Sequence, residues 1–129
     1  MKKLIFSFLF LLIVFAPGCK KDNSNPADSN SGIYDVNGSW SGKTSQNEDI
    51  SFRFEENLMR ELNIKINAPG GSYGQHTSSI LCGIENNSFS YSTTTQMGKF
   101  ELAGNFRNSN LSEGTFKLGT TEGTWSASK

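Results

Sequence analysis

The sequence predicts an all-β protein: one small antiparallel β-meander of about eight strands, closed as a barrel or a sandwich. Three observations lead there. Apolar residues recur with period two over short runs. Clusters of Asn, Gly, Pro and Glu separate those runs, at spacings that suit hairpins and are too short for parallel crossovers. Four tripeptides read Gly-x-aromatic: Gly38-Ser39-Trp40, Gly104-Asn105-Phe106, Gly114-Thr115-Phe116 and Gly123-Thr124-Trp125.

In chain order, a first strand lies near Trp40, and Gly42-Lys43-Thr44 lies in a strand. Ile50, Phe52 and Phe54 alternate with Ser51, Arg53 and Glu55, and Leu62, Ile64 and Ile66 alternate with Glu61, Asn63 and Lys65. Glu55 to Leu62 also has the spacing of two helical turns. A hairpin turning at Glu56-Asn57 is the better reading, because alternation resumes at once on both sides. Further runs share faces at Ile80, Cys82 and Ile84; at Phe89 and Tyr91; at Phe100, Leu102, Gly104 and Phe106; at Phe116 and Leu118; and at Trp125 and Ala127. Residues 67–78, which contain Gly, Ser and Tyr, read as a long loop carrying Tyr73 and His76. Residues two apart on a strand face one side, so each Gly-x-aromatic glycine leaves room for a neighbouring strand's ring. A meander that closes sets the last strand, with Trp125, beside the first, with Trp40.

The segment before this domain has a different chemistry. Met1-Lys2-Lys3 is a basic start, and Leu4 to Ala16 is apolar except for Ser7. That run is shorter than the roughly 20 residues a spanning helix needs, and its layout is that of an export signal. The chain therefore divides into a signal peptide at 1–18, an anchor and flexible tether at 19–31, and the β domain at 32–129. The tether is made of polar and small residues and cannot build a core.

Phe15-Ala16-Pro17-Gly18-Cys19 resembles the lipobox of bacterial lipoproteins, which implies lipidation of Cys19 and cleavage before it. Ala16 and Pro17 differ from the usual residues, so ordinary signal-peptidase cleavage near Gly18 is the alternative. Lys20-Lys21-Asp22-Asn23 is similar to the start of Bacteroidota lipoproteins, which implies the outer membrane and exposure at the cell surface. An early Gly-x-Trp ahead of a meander resembles the lipocalin and avidin-like barrels. The run from Gly104 to Ala127 looks more like small β domains of exported bacterial proteins, some with a second cysteine before the final Gly-x-Trp. Lys117-Leu118-Gly119-Thr120 has none here, so Cys82 is expected to be a buried, unpaired thiol.

Charge and chemistry exclude several functions. From Cys19 onward there are ten basic and twelve acidic residues. No basic stripe is present, so no nucleic-acid partner is expected. His76 is the single histidine, and with Cys82 it makes no zinc set. Adjacent acids such as Glu55-Glu56 and Glu48-Asp49 do not face one another across a cleft as glycoside hydrolysis requires. No enzyme, metal or cofactor is expected. Partners are the membrane, through lipid on Cys19, and an unidentified envelope or extracellular ligand. The ligand contacts are expected among Trp40, Tyr73, His76 and Trp125. The leading reading is a non-enzymatic binding or interaction module. The alternative is a calycin-like carrier with an apolar ligand inside the barrel, behind Trp40, Phe52, Phe54, Phe100 and Trp125. A small hydrolase or inhibitor ranks last.

Overall fold

The computed structural model describes residues 34–78, 80 and 82–129. The signal peptide and the anchor at Cys19 lie outside the described residues. Among those described there are nine strands and no helix: β1 (Gly38–Thr44), β2 (Asp49–Glu55), β3 (Leu58–Ala68), β4 (Gly71–Thr77), β5 (Cys82–Gly83), β6 (Ser88–Thr95), β7 (Gly98–Asn108), β8 (Leu111–Leu118) and β9 (Thr121–Ser128). They form one antiparallel sheet in the order β4-β3-β2-β1-β9-β8-β7-β6, with β5 paired to β3. The sheet curls into a half-barrel around a single core.

The turns follow from residue chemistry. Glu56 and Asn57 have φ of 52° and 59°, and Asn86 and Asn87 have φ of 50° and 61°. Two consecutive left-handed residues make the hairpin turn whose twist matches the flanking strands. Asn is among the residues that enter this region at least cost. The helical alternative over Glu55 to Leu62 is thereby excluded. The first and last strands pair as expected, with Gly42 opposite Ala127 and Thr44 opposite Trp125. Gly42 is required there: a Cβ on it would lie 1.9 Å from the Ser126 carbonyl oxygen.

The Gly-x-aromatic device works at three of its four positions. A Cβ at Gly104 would meet the Phe89 ring at 2.5 Å and the Trp125 indole at 2.6 Å. At Gly123 it would meet the Phe116 ring at 2.5 Å, and at Gly114 the Trp125 indole at 2.7 Å. Gly38 differs. It opens β1 with φ of 118°, and its open side faces the Lys129 side chain, so there the glycine serves the backbone.

The expected loop at 67–78 is instead the strand β4. It pairs with β3 in unbroken register from Leu62–Thr77 to Ala68–Gly71. Beyond Thr77 the edge chain loses register. Leu62 faces Thr77, and the next printed partner on this side of β3 is Cys82, opposite Met59. Ile80 lies in the core, 4% exposed.

Cys82 is buried, as expected, and its sulfur lies 2.6 Å from the Ser90 carbonyl oxygen. The expected lone thiol is corrected: Cys82 is disulfide-bonded, and the partner sulfur lies outside the described residues.

Trp125 is 3% exposed, and its indole N–H donates to the Thr115 carbonyl at 3.2 Å. Trp125→Ala should therefore cost about 3–5 kcal/mol, the range for a large aromatic in a core. The expected outcome is a fall of roughly 12–40 °C in melting temperature, at about 4–8 °C per kcal/mol for a domain of this size. Thermal unfolding followed by circular dichroism checks it. An unchanged melting temperature contradicts the placement of this strand.

Candidate binding surface

The four residues that the sequence offers as ligand contacts fall in three settings. Trp40 and Trp125 lie in the core, 1% and 3% exposed, with Phe52 against both rings. The Trp40 indole N–H donates to the Val36 carbonyl at 2.8 Å, so its polar end is satisfied internally. Tyr73 is half-buried on the inner face of β4. His76 is exposed on the outer face of the same strand, opposite Asn63, and its Nδ1 donates to the Asn63 side-chain oxygen. The two tryptophans are thus joined through Phe52, while Tyr73 and His76 point to opposite sides of one strand.

The inner face of β4 is polar. Its inward residues Tyr73, Gln75 and Thr77 stand opposite Ile66, Ile64 and Leu62. The Tyr73 hydroxyl donates to the Gln75 side-chain oxygen, and the Gln75 amide donates to the Thr77 hydroxyl. Burial, with a smaller contribution from nearby Tyr91, raises the Tyr73 phenol above its ordinary pKa.

A hollow lies elsewhere, on the outer face of β6 to β9, with a cavity volume of about 670 Å³. Its geometry follows from register. Ser90, Ala103, Thr115 and Thr124 are cross-strand neighbours and form a floor of small side chains. Two residues along each strand, Ser92, Glu101, Lys117 and Glu122 form the next row and make a charged wall. On the other side Asn105, Glu113, Ser126 and Lys43 form a second wall, with Arg107 paired to Glu113. A second hollow of about 630 Å³ lies along that wall and shares Thr115 and Thr124 with the first. Together they make one trough across the strands. At roughly 4.8 Å between strands its four-strand floor is about 14 Å long.

Hydroxyls both donate and accept hydrogen bonds. A floor of Ser90, Thr115 and Thr124 hydroxyls with Ala103 among them, between rows holding Lys, Arg and Glu, therefore suits a polar, extended, uncharged or zwitterionic ligand. Each of these residues is an ordinary exposed strand position in the sequence. Only the register brings them into rows, so inspection of single motifs misses the trough. Among the described residues no three His, Cys, Asp or Glu side chains gather as a metal set.

No family model, no curated protein and no solved structure matches this chain.

The Tyr73 shift has a measurable consequence. The folded state holds this proton at a pH where the unfolded chain, near pKa 10, has lost it. The stability is therefore full below pH 10 and declines as the pH rises above it. An absorbance titration at 295 nm should include a phenol ionising late, and Tyr73→Phe should remove that late step. Identical curves above pH 10 for the two proteins contradict the assignment.

Proposed function

We propose that this chain is an exported lipoprotein, held in the outer membrane by lipid on Cys19, whose β domain is a non-enzymatic binding module. Its ligand contacts lie outside the sheet, in the hydroxyl-floored trough centred on Thr115 and Thr124. The observation that carries the binding part is that trough: four small residues in register between two charged rows. The ligand class it suits is a saccharide chain, which offers hydroxyls at repeated spacing and no charge to desolvate.

The carrier reading needs room behind Trp40, Phe52, Phe54, Phe100 and Trp125. Those side chains are buried, Phe52 against Trp40, Phe54 and Trp125, and Phe100 against Tyr73 and Tyr91, so the outer surface is the better location for a ligand. The support for the anchor is in the sequence, at Gly18-Cys19 after the apolar run. Two or three acyl chains, at about 0.8 kcal/mol per buried methylene, hold a protein of this size durably. A tether of twelve residues, 20–31, reaches about 40 Å when extended, enough to lift the domain clear of the headgroups.

The anchor and the disulfide compete for sulfur. A thioether to lipid consumes the Cys19 sulfur, and the chain has only two cysteines. The lipidated molecule and the molecule with a disulfide at Cys82 are therefore different species, separable by intact mass.

Metabolic labelling with a fatty acid tests the anchor. The expected outcome is label on the wild-type protein and none on Cys19→Ala, which stays soluble or keeps its signal. Label retained on Cys19→Ala overturns it. The trough is tested by calorimetric titration with a panel of neutral oligosaccharides, comparing wild type with Thr115→Lys. The variant should keep its melting temperature and lose about tenfold or more in affinity. A panel without a binder, or equal binding by the variant, overturns the assignment of the trough.

A further inference from the structure

Cys82 takes no part in the trough, yet the fold provides for its sulfur in two states. It sits on β5 opposite Met59 and is 1% exposed. Here it is disulfide-bonded. This sequence holds one other cysteine, Cys19, so an intramolecular disulfide from Cys82 takes the Cys19 sulfur. The reduced state has a partner in place as well. The Ser90 carbonyl oxygen of β6 lies 2.6 Å from the Cys82 sulfur and accepts from a thiol S–H there. Neither state leaves a buried donor unsatisfied.

The register brings the start of the domain to the same end of the sheet. Gly38 pairs with Phe54, Phe54 with Met59, and Met59 with Cys82, one row across β1, β2, β3 and β5. Three strand spacings of roughly 4.8 Å put Gly38 about 14 Å from Cys82. The Asn57 backbone N–H donates to the Asn37 side-chain oxygen at 2.9 Å and holds the entry to β1 against the β2–β3 turn. Fourteen residues, 20–33, separate Cys19 from Tyr34, the first described residue. Their greatest reach is about 45 Å, at roughly 3.3 Å each. That is several times the gap, so the disulfide closes without any rearrangement of the sheet.

We propose that Cys82 competes with lipid for the Cys19 sulfur, and that this competition divides the protein between a membrane-held form and a soluble one. The proposal rests on the reading of Cys19 as the lipid-bearing residue. In one branch the Cys19 sulfur forms a bond to carbon of a diacylglyceryl donor. The donor's leaving group departs with the electron pair of the broken carbon–oxygen bond, and the thiol proton is released. In the other branch the Cys19 and Cys82 thiols give two protons and two electrons to a disulfide-type oxidant of the envelope, which becomes a dithiol. One sulfur cannot follow both. Ala16 and Pro17, where this chain departs from the usual lipobox, slow the first branch and leave time for the second. Ordinary cleavage near Gly18 then releases the unlipidated chain. Burial makes the outcome lasting, because a reductant reaches Cys82 only when β5, two residues long, opens from β3. Both forms keep the trough, so the switch sets where the module works and leaves its ligand unchanged.

The test expresses the full chain in lipoprotein-making cells fed a labelled fatty acid, and reads the labelled fraction and the intact mass without reductant. The wild type should give two species. One carries label and, once unfolded, a Cys82 thiol that reacts with maleimide. The other carries no label and no reactive thiol until it is both unfolded and reduced. Cys82→Ala should raise the labelled fraction about twofold or more, since the competing thiol is gone. Dithiothreitol in the medium should do the same for the wild type and nothing for Cys82→Ala, an arm that does not depend on how well the variant folds. Equal labelled fractions in the two proteins, with no response to dithiothreitol, overturn the competition and leave the anchor standing. An unlabelled species whose Cys82 reacts on unfolding without reductant also overturns it. Label on neither protein overturns the anchor and the competition together.

Discussion

The fold depends on rings from its two halves meeting across the interior. Phe52 on β2 touches Trp40 on β1, Trp125 on β9, its own neighbour Phe54, and Phe89 on β6. Along the sheet β2 and β6 are far apart, so the Phe52–Phe89 contact at 5.6 Å exists only because the sheet curls. Phe106 adds contacts to Trp40, Phe54 and Phe89 from the same far half. Each such pair is worth about 0.5–1.5 kcal/mol beyond the area it buries. Gly104 permits the curl, since a methyl there would collide with both Phe89 and Trp125.

That constraint directs where binding is sought. Aromatic rings occupy the middle of the half-barrel, so a ligand is sought among the polar groups of the outer face. The outer trough presents side chains, a floor of small residues that carries three hydroxyls between charged rows.

Much of the core was legible in the sequence, because period-two runs such as Ile50-Phe52-Phe54 and Leu62-Ile64-Ile66 report burial on one face directly. The hairpin at Glu56-Asn57 and the pairing of first strand with last were legible for the same reason. β4 was not. Its inward residues Tyr73, Gln75 and Thr77 are polar, its glycines read as turn residues, and it is a strand because β3 offers it a paired edge. The trough was hidden because Ser90, Ala103, Thr115 and Thr124 lie far apart in the chain and become a row only through three separate registers.

A double-mutant cycle on Phe52 and Phe89 tests the central claim most directly. These residues are 37 positions apart in the chain and touch only if the two halves of the sheet close on one another. Phe52→Leu, Phe89→Leu and the double variant keep the apolar character while removing the rings. The account predicts a coupling of about 0.5–1.5 kcal/mol in urea-unfolding free energies. Additivity within about 0.3 kcal/mol would mean the rings do not meet, and would contradict the filled interior from which the rest of the account follows.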